Sequence, residues 1–214
     1  MWNHLRHPLD DFNTARKQFA ETRYRWRHRY LHNYEFIHIS KTAGSSIKYA
    51  LGVPWENKHK TAHEKIEELG QRVWDRKFTF TVVRNPWDRA VSEYHYRIRT
   101  NQNELGENPI AFSDWIRLTY QEVDPFYQDD PQMFMPQADW VYNKSGKCLV
   151  DFICRYERLR EDFAHVCLKV GVSADLPHMN ATDHGSYRDC YDDETSEIVA
   201  KWFRKDIEQF EYTF

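Results

Sequence analysis

Short apolar runs alternate with stretches of helical spacing along this chain. Three runs rich in apolar and aromatic residues, at positions 34–39, 78–84 and 148–157, predict buried strands. Helical spacing predicts helices over residues 45–51, 63–69, 87–99 and 158–170, and one long terminal helix over 192–210. Strands that alternate with helices favour an α/β fold, a parallel sheet with helices on both faces.

The chain divides into a short N-terminal segment and one domain. Residues 1–33 are predicted to form a basic helical segment packed on the core, because 10–31 is dense in arginine and aromatic residues and contains no proline or glycine. Residues 34–214 are long enough for a single hydrophobic core. Within this domain, residues 100–112 and 120–136 show little periodicity and predict loops or short irregular helices.

Composition argues against several classes of protein. Hydrophobic residues make up 41% and charged residues 29%, as in a folded globular chain, and the net charge of −3 argues against general binding to nucleic acid. No window approaches the roughly 18 apolar residues of a membrane helix, and the N-terminus lacks the apolar core of a secretory signal. A cytoplasmic location, or a catalytic fragment of a longer protein, is therefore predicted. The four cysteines fit no zinc-binding spacing and are expected to be reduced thiols.

The first predicted strand ends in the loop Ser-Lys-Thr-Ala-Gly-Ser-Ser, residues 40–46, before the next helix begins. Backbone N–H groups at such a junction lack helical partners and can bind an anion, although a simple helix cap has the same composition. Gly44 allows a close backbone approach, and Lys41 adds a positive charge. Hydroxyl groups come from Thr42, Ser45 and Ser46. The loop predicts a phosphate site, yet it lacks the G-x-x-x-x-G-K-[ST] pattern of magnesium-dependent nucleotide sites.

A second anion site is predicted at the end of the strand over 78–84. Arg84 ends this strand, and Ser92 lies eight positions further along, two turns into the following helix. A guanidinium and a hydroxyl placed in this way can converge on one phosphate. Two anion sites at two strand ends indicate a ligand with two separated phosphate groups.

These segments resemble the sulfotransferases, and in particular their carbohydrate branch. The resemblance rests on HISKTAGSSI, which is similar to the family's 5′-phosphosulfate loop, and on VVRNPWDRAVSEY, which is similar to its 3′-phosphate motif. Three later stretches also fit that branch, namely VDFICRYERLREDF, LPHMNAT and YRDCYDDETSEIVAKWFRKDIEQFEYTF. The resemblance runs from about Tyr34 to the end, with 100–147 poorly matched, and Ser40 stands where the family more often has proline.

The resemblance implies a P-loop-like fold and sulfuryl transfer from 3′-phosphoadenosine-5′-phosphosulfate (PAPS) to a hydroxyl group, without a metal. It implies that the 5′ end of PAPS is bound by Lys41, Thr42, Ala43, Gly44, Ser45 and Ser46. Arg84 and Ser92 would bind the 3′-phosphate, and Thr182, with Asn180, would close over the nucleotide. Lys41 would also stabilise the charge that develops on the leaving nucleotide.

Sulfuryl transfer needs a general base that removes the proton of the acceptor hydroxyl. In the family a histidine followed by x-Thr or x-Ser lies between the two nucleotide motifs and is the usual candidate, and His59 fits this pattern. Histidine also titrates near neutral pH. His63 and Glu64 remain as alternatives. His38, on the first predicted strand, is expected to be a hydrogen-bonded core histidine rather than a catalyst.

Two other functions fit part of the pattern. A P-loop nucleotide kinase relative would use a nucleoside triphosphate, but the chain lacks G-K-[ST] and an obvious carboxylate for the metal. A non-catalytic nucleotide-binding protein is less compatible with the joint presence of Lys41, Arg84 and Ser92. For the acceptor, a glycan, a lipid-linked sugar and a small hydroxylated metabolite all remain open.

Overall fold

The structure is a computed structural model that describes residues 22, 31–53, 59–176 and 185–214. Two sequence-based predictions fall outside these residues. One is the N-terminal basic helical segment, of which only residues 22 and 31–33 are described, and the other is Thr182 with its neighbours. Both stay predictions.

Among the described residues, three parallel strands form a sheet in the order β1-β2-β3. They are β1 (Tyr34–Ile37), β2 (Phe78–Val83) and β3 (Phe152–Arg155). β2 lies in the middle, with Tyr34 opposite Phe78 on one side and Phe80 opposite Phe152 on the other. The predicted parallel sheet is confirmed.

The described α-helices are α1 (Gly44–Ala50), α2 (Ala62–Leu69), α3 (Gln71–Trp74), α4 (Pro86–Arg99), α5 (Phe112–Ile116), α6 (Pro131–Phe134), α7 (Ala138–Val141), α8 (Leu159–Val170), α9 (Asp193–Trp202) and α10 (Arg204–Phe210). α5 continues into a π-helical turn, Arg117–Gln121, and short 3₁₀ helices occur at Gln102–Glu104, Tyr156–Arg158 and Tyr187–Cys190. Within the described ranges, no helix has both the length and the apolar character needed to cross a membrane.

Side chains of the sheet alternate between its two faces and enter two separate apolar cores. On one face, Phe36 and Phe80 pack with Phe163 of α8. On the other face, Ile37 and Val83 belong to a larger core with residues of α4, α7, α9 and α10. Helices thus cover both faces, as the sequence pattern predicts, and the loops that follow β1 and β2 lie together at one edge.

The prediction of one terminal helix over 192–210 is wrong, because the structure divides it into α9 and α10 at Phe203. The backbone of Phe203 leaves the helical region, with φ −98° and ψ 25°. Its buried ring packs against Tyr120, with 5.3 Å between the ring centroids. On α10, the Asp206 carboxylate accepts a hydrogen bond from the backbone N–H of Gln137 at 2.9 Å. Tertiary contacts therefore override a continuous helical pattern.

Candidate active site

A cavity of about 430 Å³ lies at the carboxyl ends of β1 and β2, between the loop that follows β1 and the side of α4. Its wall includes most of the residues that the sequence analysis singles out, namely Lys41, Ala43, Gly44, Ser45, Ser46, His59, Arg84 and Ser92. Among the candidates that the structure describes, Thr42, His63 and Glu64 do not line it. The cavity thus brings both predicted anion sites and one predicted base together.

The loop between β1 and α1 has an unusual backbone. Lys41 and Ala43 adopt left-handed angles, with φ of 63° and 64°, a conformation that costs residues other than glycine on the order of 1–3 kcal/mol each. Thr42 lies between them, fully buried, and its hydroxyl donates a hydrogen bond to the Ile39 carbonyl oxygen at 2.9 Å. The Thr42 hydroxyl therefore stabilises the loop from within, and the ligand-binding role that the resemblance implies for Thr42 stays a prediction.

Arg89 of α4 anchors the same loop, a role that the sequence analysis missed. Its buried guanidinium donates hydrogen bonds to the backbone carbonyl oxygens of Ser40 (3.2 Å), Met133 (2.6 Å) and Met135 (3.2 Å). The Ser40 hydroxyl accepts a further bond from Arg89 and donates one to Met133. The serine that replaces the family's more frequent proline is thus used as a hydrogen-bonding residue.

Glycine at position 44 is required by the neighbouring His38 ring. A Cβ atom on Gly44 would lie far inside van der Waals distance of the ring atoms Cδ2 and Nε2 of His38. Either the ring or the loop would have to move to admit it. The glycine therefore permits a close contact between the end of β1 and the start of α1.

Gly44→Ala is expected to lower the free energy of unfolding by about 1–3 kcal/mol, the usual cost of overpacking. In a His38→Ala background the same substitution should cost much less, because the ring that it strikes is gone. Chemical denaturation of the wild type, both single variants and the double variant measures this coupling. Equal costs in the two backgrounds would contradict the explanation.

Lys41 lines the cavity, and its ammonium group packs on the face of an aromatic ring. Its Nζ lies 3.8 Å from the centroid of the Tyr96 ring, and the guanidinium carbon of Arg99 lies 5.6 Å from the same centroid. Burial lowers the pKa of Lys41 to about 8. The charge of Glu93 opposes this shift, whereas those of Arg99 and Arg84 add to it. An anion bound here would relieve the repulsion between these cations.

The Arg84 guanidinium already has a carboxylate partner. Its Nε and Nη2 donate to the two carboxylate oxygens of Asp88 at 2.7 and 2.8 Å. Nη1 donates to the carbonyl oxygen of Lys41 at 3.2 Å, which links the two predicted anion sites. The bidentate interaction that the sequence predicts with a phosphate is therefore made with Asp88. A phosphate would bind to the remaining N–H groups of Nη1 and Nη2. Ser92, also predicted for this phosphate, is buried in the same cavity wall.

The backbone of Arg84 is fixed by Gln137, which lies in the region that the resemblance matches poorly. Nε2 of Gln137 donates to the Arg84 carbonyl oxygen at 2.8 Å, and Oε1 accepts from the Arg84 N–H at 2.9 Å. The Asp206 carboxylate accepts a bond from Gln137 Nε2 at 3.0 Å. Both Gln137 and Asp206 are fully buried, so α10 holds the end of β2 in place.

His59 lines the cavity, and a backbone contact defines its tautomer. Its Nδ1 lies 2.9 Å from the carbonyl oxygen of His38, so that Nδ1 is the nitrogen that donates and Nε2 carries the lone pair of the neutral ring. Burial lowers the pKa of His59 and outweighs the hydrogen bond to His38, which raises it. A neutral imidazole with a lone pair on Nε2 is suited to accept a proton from a molecule in the cavity.

The two alternative bases lie outside the cavity wall. His63 is exposed, and its Nδ1 lies 3.5 Å from the carboxylate of Glu67. Glu64 accepts hydrogen bonds from the backbone N–H and the hydroxyl of Thr61 at 2.7 and 2.9 Å, and these contacts lower its pKa. A carboxylate held in this way caps α2 and is a weak base. Of the three candidates, His59 has the best position.

Another part of the wall consists of charged residues that the sequence analysis did not single out. Arg97 is buried on α4 and donates to the carboxylates of Glu93 and Asp129 at 2.9 and 2.8 Å, and it also bonds Asn103. Glu93 and Arg97 are four residues apart on one helix, a spacing that favours ion pairs. The ion pair of Glu93 and Arg97 could therefore have been predicted from the sequence, whereas the contact of Arg97 with Asp129 depends on the fold.

Comparison with known families decides the class of protein. The model of the sulfotransferase family matches residues 16–213. The chain belongs to the sulfotransferase family. It is therefore an enzyme of sulfuryl transfer, and the family resemblance inferred from the two anion-binding motifs is confirmed.

One relative is an uncharacterized protein of Archaeoglobus fulgidus, 32% identical over 123 residues, which are 56% of this chain and 90% of that protein. Among solved structures, the sulfotransferase from Alicyclobacillus acidocaldarius is similar, with 16% sequence identity and a TM-score of 0.43. That comparison covers 84% of this chain and 94% of the bacterial one. The membership of the family rests on the family model.

Proposed function

We propose that this protein transfers the sulfuryl group of PAPS to a hydroxyl group of a carbohydrate-like acceptor. The proposal rests on the set of residues that line a single cavity. Lys41 and its loop lie at the end of β1, Arg84 and Ser92 lie at the end of β2 and on α4, and His59 offers a lone pair on Nε2. These groups can bind two anions and accept one proton.

The two predicted anion sites suit the two ends of the donor. Lys41 and the hydroxyl of Ser45 suit the 5′-phosphosulfate, and Arg84 with Ser92 suits the 3′-phosphate. The hydrogen bond from Arg84 to the Lys41 carbonyl oxygen keeps the two sites adjacent. A nucleotide with phosphate groups on both sides of its ribose can therefore contact both.

The proposed reaction is an in-line displacement at sulfur. The acceptor oxygen forms a bond to sulfur while the bond from sulfur to the 5′-phosphate oxygen breaks, and the leaving nucleotide keeps that electron pair. Nε2 of His59 takes the proton of the acceptor hydroxyl. Lys41 stabilises the negative charge that grows on the leaving oxygen. No metal takes part in this proposal.

A carbohydrate-like acceptor is proposed because the 5′-phosphosulfate loop and the C-terminal stretches resemble the carbohydrate branch of the family. The polar wall supports it, since the carboxylate oxygens of Glu93 and Asp129 have lone pairs left to accept hydrogen bonds from hydroxyl groups.

Binding of 3′,5′-bisphosphoadenosine in metal-free buffer tests the donor. The melting temperature should rise with the concentration of this nucleotide, as mass action requires. Arg84→Ala should reduce the rise, whereas Arg76→Ala, a change at an exposed position outside the cavity, should leave it unchanged. Stabilisation by magnesium ATP, with none by the bisphosphate, would favour the kinase alternative.

Transfer itself is tested with PAPS labelled in its sulfuryl group and a panel of sugar acceptors. The label is expected to move to a carbohydrate hydroxyl. Binding of the bisphosphate without transfer to any acceptor would favour a non-catalytic nucleotide-binding protein.

A further inference from the structure

His38 lies where the candidate base meets the anion-binding loop. It directly follows β1, and its ring stacks on Phe36 with 5.7 Å between centroids. The ring of His59 lies 4.3 Å away, and the carbonyl oxygen of His38 accepts the hydrogen bond from His59 Nδ1. The Cδ2–Nε2 edge of the His38 ring contacts Gly44, and the residue lines the cavity.

The two ring nitrogens of His38 have different surroundings. Nδ1 is sealed from solvent and has no hydrogen-bond partner among the residues that the structure describes. Nε2 is on the edge that faces Gly44 of the loop. The sequence-based expectation of a hydrogen-bonded core histidine is therefore not met by the ring.

A neutral imidazole carries one proton, and the surroundings decide which nitrogen holds it. A buried N–H group without an acceptor is rare in folded proteins because it forfeits its hydrogen bond. The proton of His38 therefore belongs on Nε2. Burial lowers the pKa of His38 well below its ordinary value, and His59 and Lys48 lower it further, so the ring is neutral at physiological pH.

We propose that His38 binds the donor nucleotide, with its Nε2–H donating a hydrogen bond to an oxygen of the 5′-phosphosulfate, or of the 5′-phosphate in the product. The inference rests on the proposed function and adds a binding residue to the loop residues considered so far. The 5′ end is favoured because the Nε2 edge touches Gly44, which belongs to the loop proposed for that end.

This contact gives His38 two connections to the reaction. Its ring contacts the donor, and its backbone carbonyl orients the base through His59 Nδ1. The sulfur atom and the attacking hydroxyl are then positioned by the same residue, which favours the alignment that an in-line displacement needs.

Nucleotide binding by His38→Leu tests the proposal. Leucine removes the N–H group and keeps an apolar side chain between Phe36 and Gly44. The affinity for 3′,5′-bisphosphoadenosine should fall roughly ten- to hundredfold, the loss typical of a hydrogen bond to a charged group. The affinity for adenosine 3′-monophosphate, which lacks the 5′-phosphate, should not change. His38→Gln should restore most of the affinity for the bisphosphate, because the glutamine amide can donate from nearly the same place.

His165→Leu is the matched control. The ring of His165 contacts Phe152 of β3 with 4.7 Å between centroids, and like His38 it therefore lies against a phenylalanine of the sheet. His165 is exposed and does not line the cavity. Its replacement should leave the affinities for both nucleotides unchanged.

Four results would overturn the proposal. If His38→Leu binds the bisphosphate as tightly as the wild type does, His38 does not contact the nucleotide, and the proposal of PAPS-dependent transfer is unaffected. An equal loss for both nucleotides would indicate general damage to the cavity. If nitrogen NMR spectra place the ring proton of His38 on Nδ1, Nε2 has no proton to donate, and the proposed hydrogen bond is excluded. Failure of the wild-type protein to bind either nucleotide would refute the PAPS assignment itself, and the His38 contact with it.

Discussion

Replacing Lys41 with alanine is expected to lower kcat roughly a hundred- to a thousandfold, the usual effect of removing one preorganised electrostatic group. In the proposed reaction, Lys41 faces the oxygen on which negative charge grows as the sulfuryl group leaves. Its interaction is therefore stronger in the transition state than in the bound donor. The affinity for the nucleotide should fall by a smaller factor, because the ammonium also meets the phosphosulfate before reaction.

The measurement is kcat and nucleotide Kd for Lys41→Ala beside Lys60→Ala, with circular dichroism to confirm folding. Lys60 is a suitable control because it forms an ion pair with Glu68 at 3.0 Å and does not line the cavity. Its replacement should change neither constant. A Lys41→Ala enzyme with near-normal kcat and much weaker nucleotide binding would limit Lys41 to a binding role.

His59→Ala is expected to lose on the order of a hundred- to ten-thousandfold in kcat, the range for a positioned general base, with nucleotide affinity nearly intact. The reason is that in the proposed reaction His59 acts on the acceptor proton and not on the donor. His63→Ala is the matched control, since His63 lies four residues along, is exposed and pairs with Glu67. Near-normal turnover of His59→Ala would place the base elsewhere.

The wild-type enzyme and His59→Ala should differ in how their rates depend on pH. Below pH 6.5, kcat/KM should fall as His59 gains a proton, because its pKa is lowered from 6.5. Around pH 8, kcat/KM for the donor should fall as Lys41 loses its proton. Bound donor adds negative charge beside Lys41, so the fall in kcat should come at higher pH. The residual activity of His59→Ala should lack the acid limb and keep the alkaline one.

The strands and the loop between β1 and α1 could be predicted from the sequence because they depend on neighbouring residues. Apolar runs determine β1 and β2, and a loop of small polar residues begins two residues after β1. Since parallel strands end at the same edge of a sheet, Lys41 and Arg84 could also be predicted to lie together. The structure brings both into one cavity.

The contacts that hold this site could not be predicted, because they join distant parts of the chain. Arg89 joins Ser40 of the loop to Met133, and Asp206 accepts a hydrogen bond from Gln137, which is 69 positions earlier. The break at Phe203 also depends on burial that no local pattern reveals. The pair of Arg84 and Asp88 joins residues only four positions apart, but Arg84 precedes α4, which begins at Pro86, so the rule for ion pairs within a helix did not predict it.

In the proposed reaction, the Asp88 carboxylate affects how long the product nucleotide stays bound. A 3′-phosphate at Arg84 would share the guanidinium with a carboxylate whose oxygen lies 2.7 Å from Arg84 Nε. Repulsion between the two anions weakens the complex. In the proposed reaction the product keeps the same 3′-phosphate as the donor, so this repulsion acts on the product too and speeds its dissociation. If product release limits turnover, weaker binding of the 3′-phosphate raises the rate at which the product leaves and the next donor can bind.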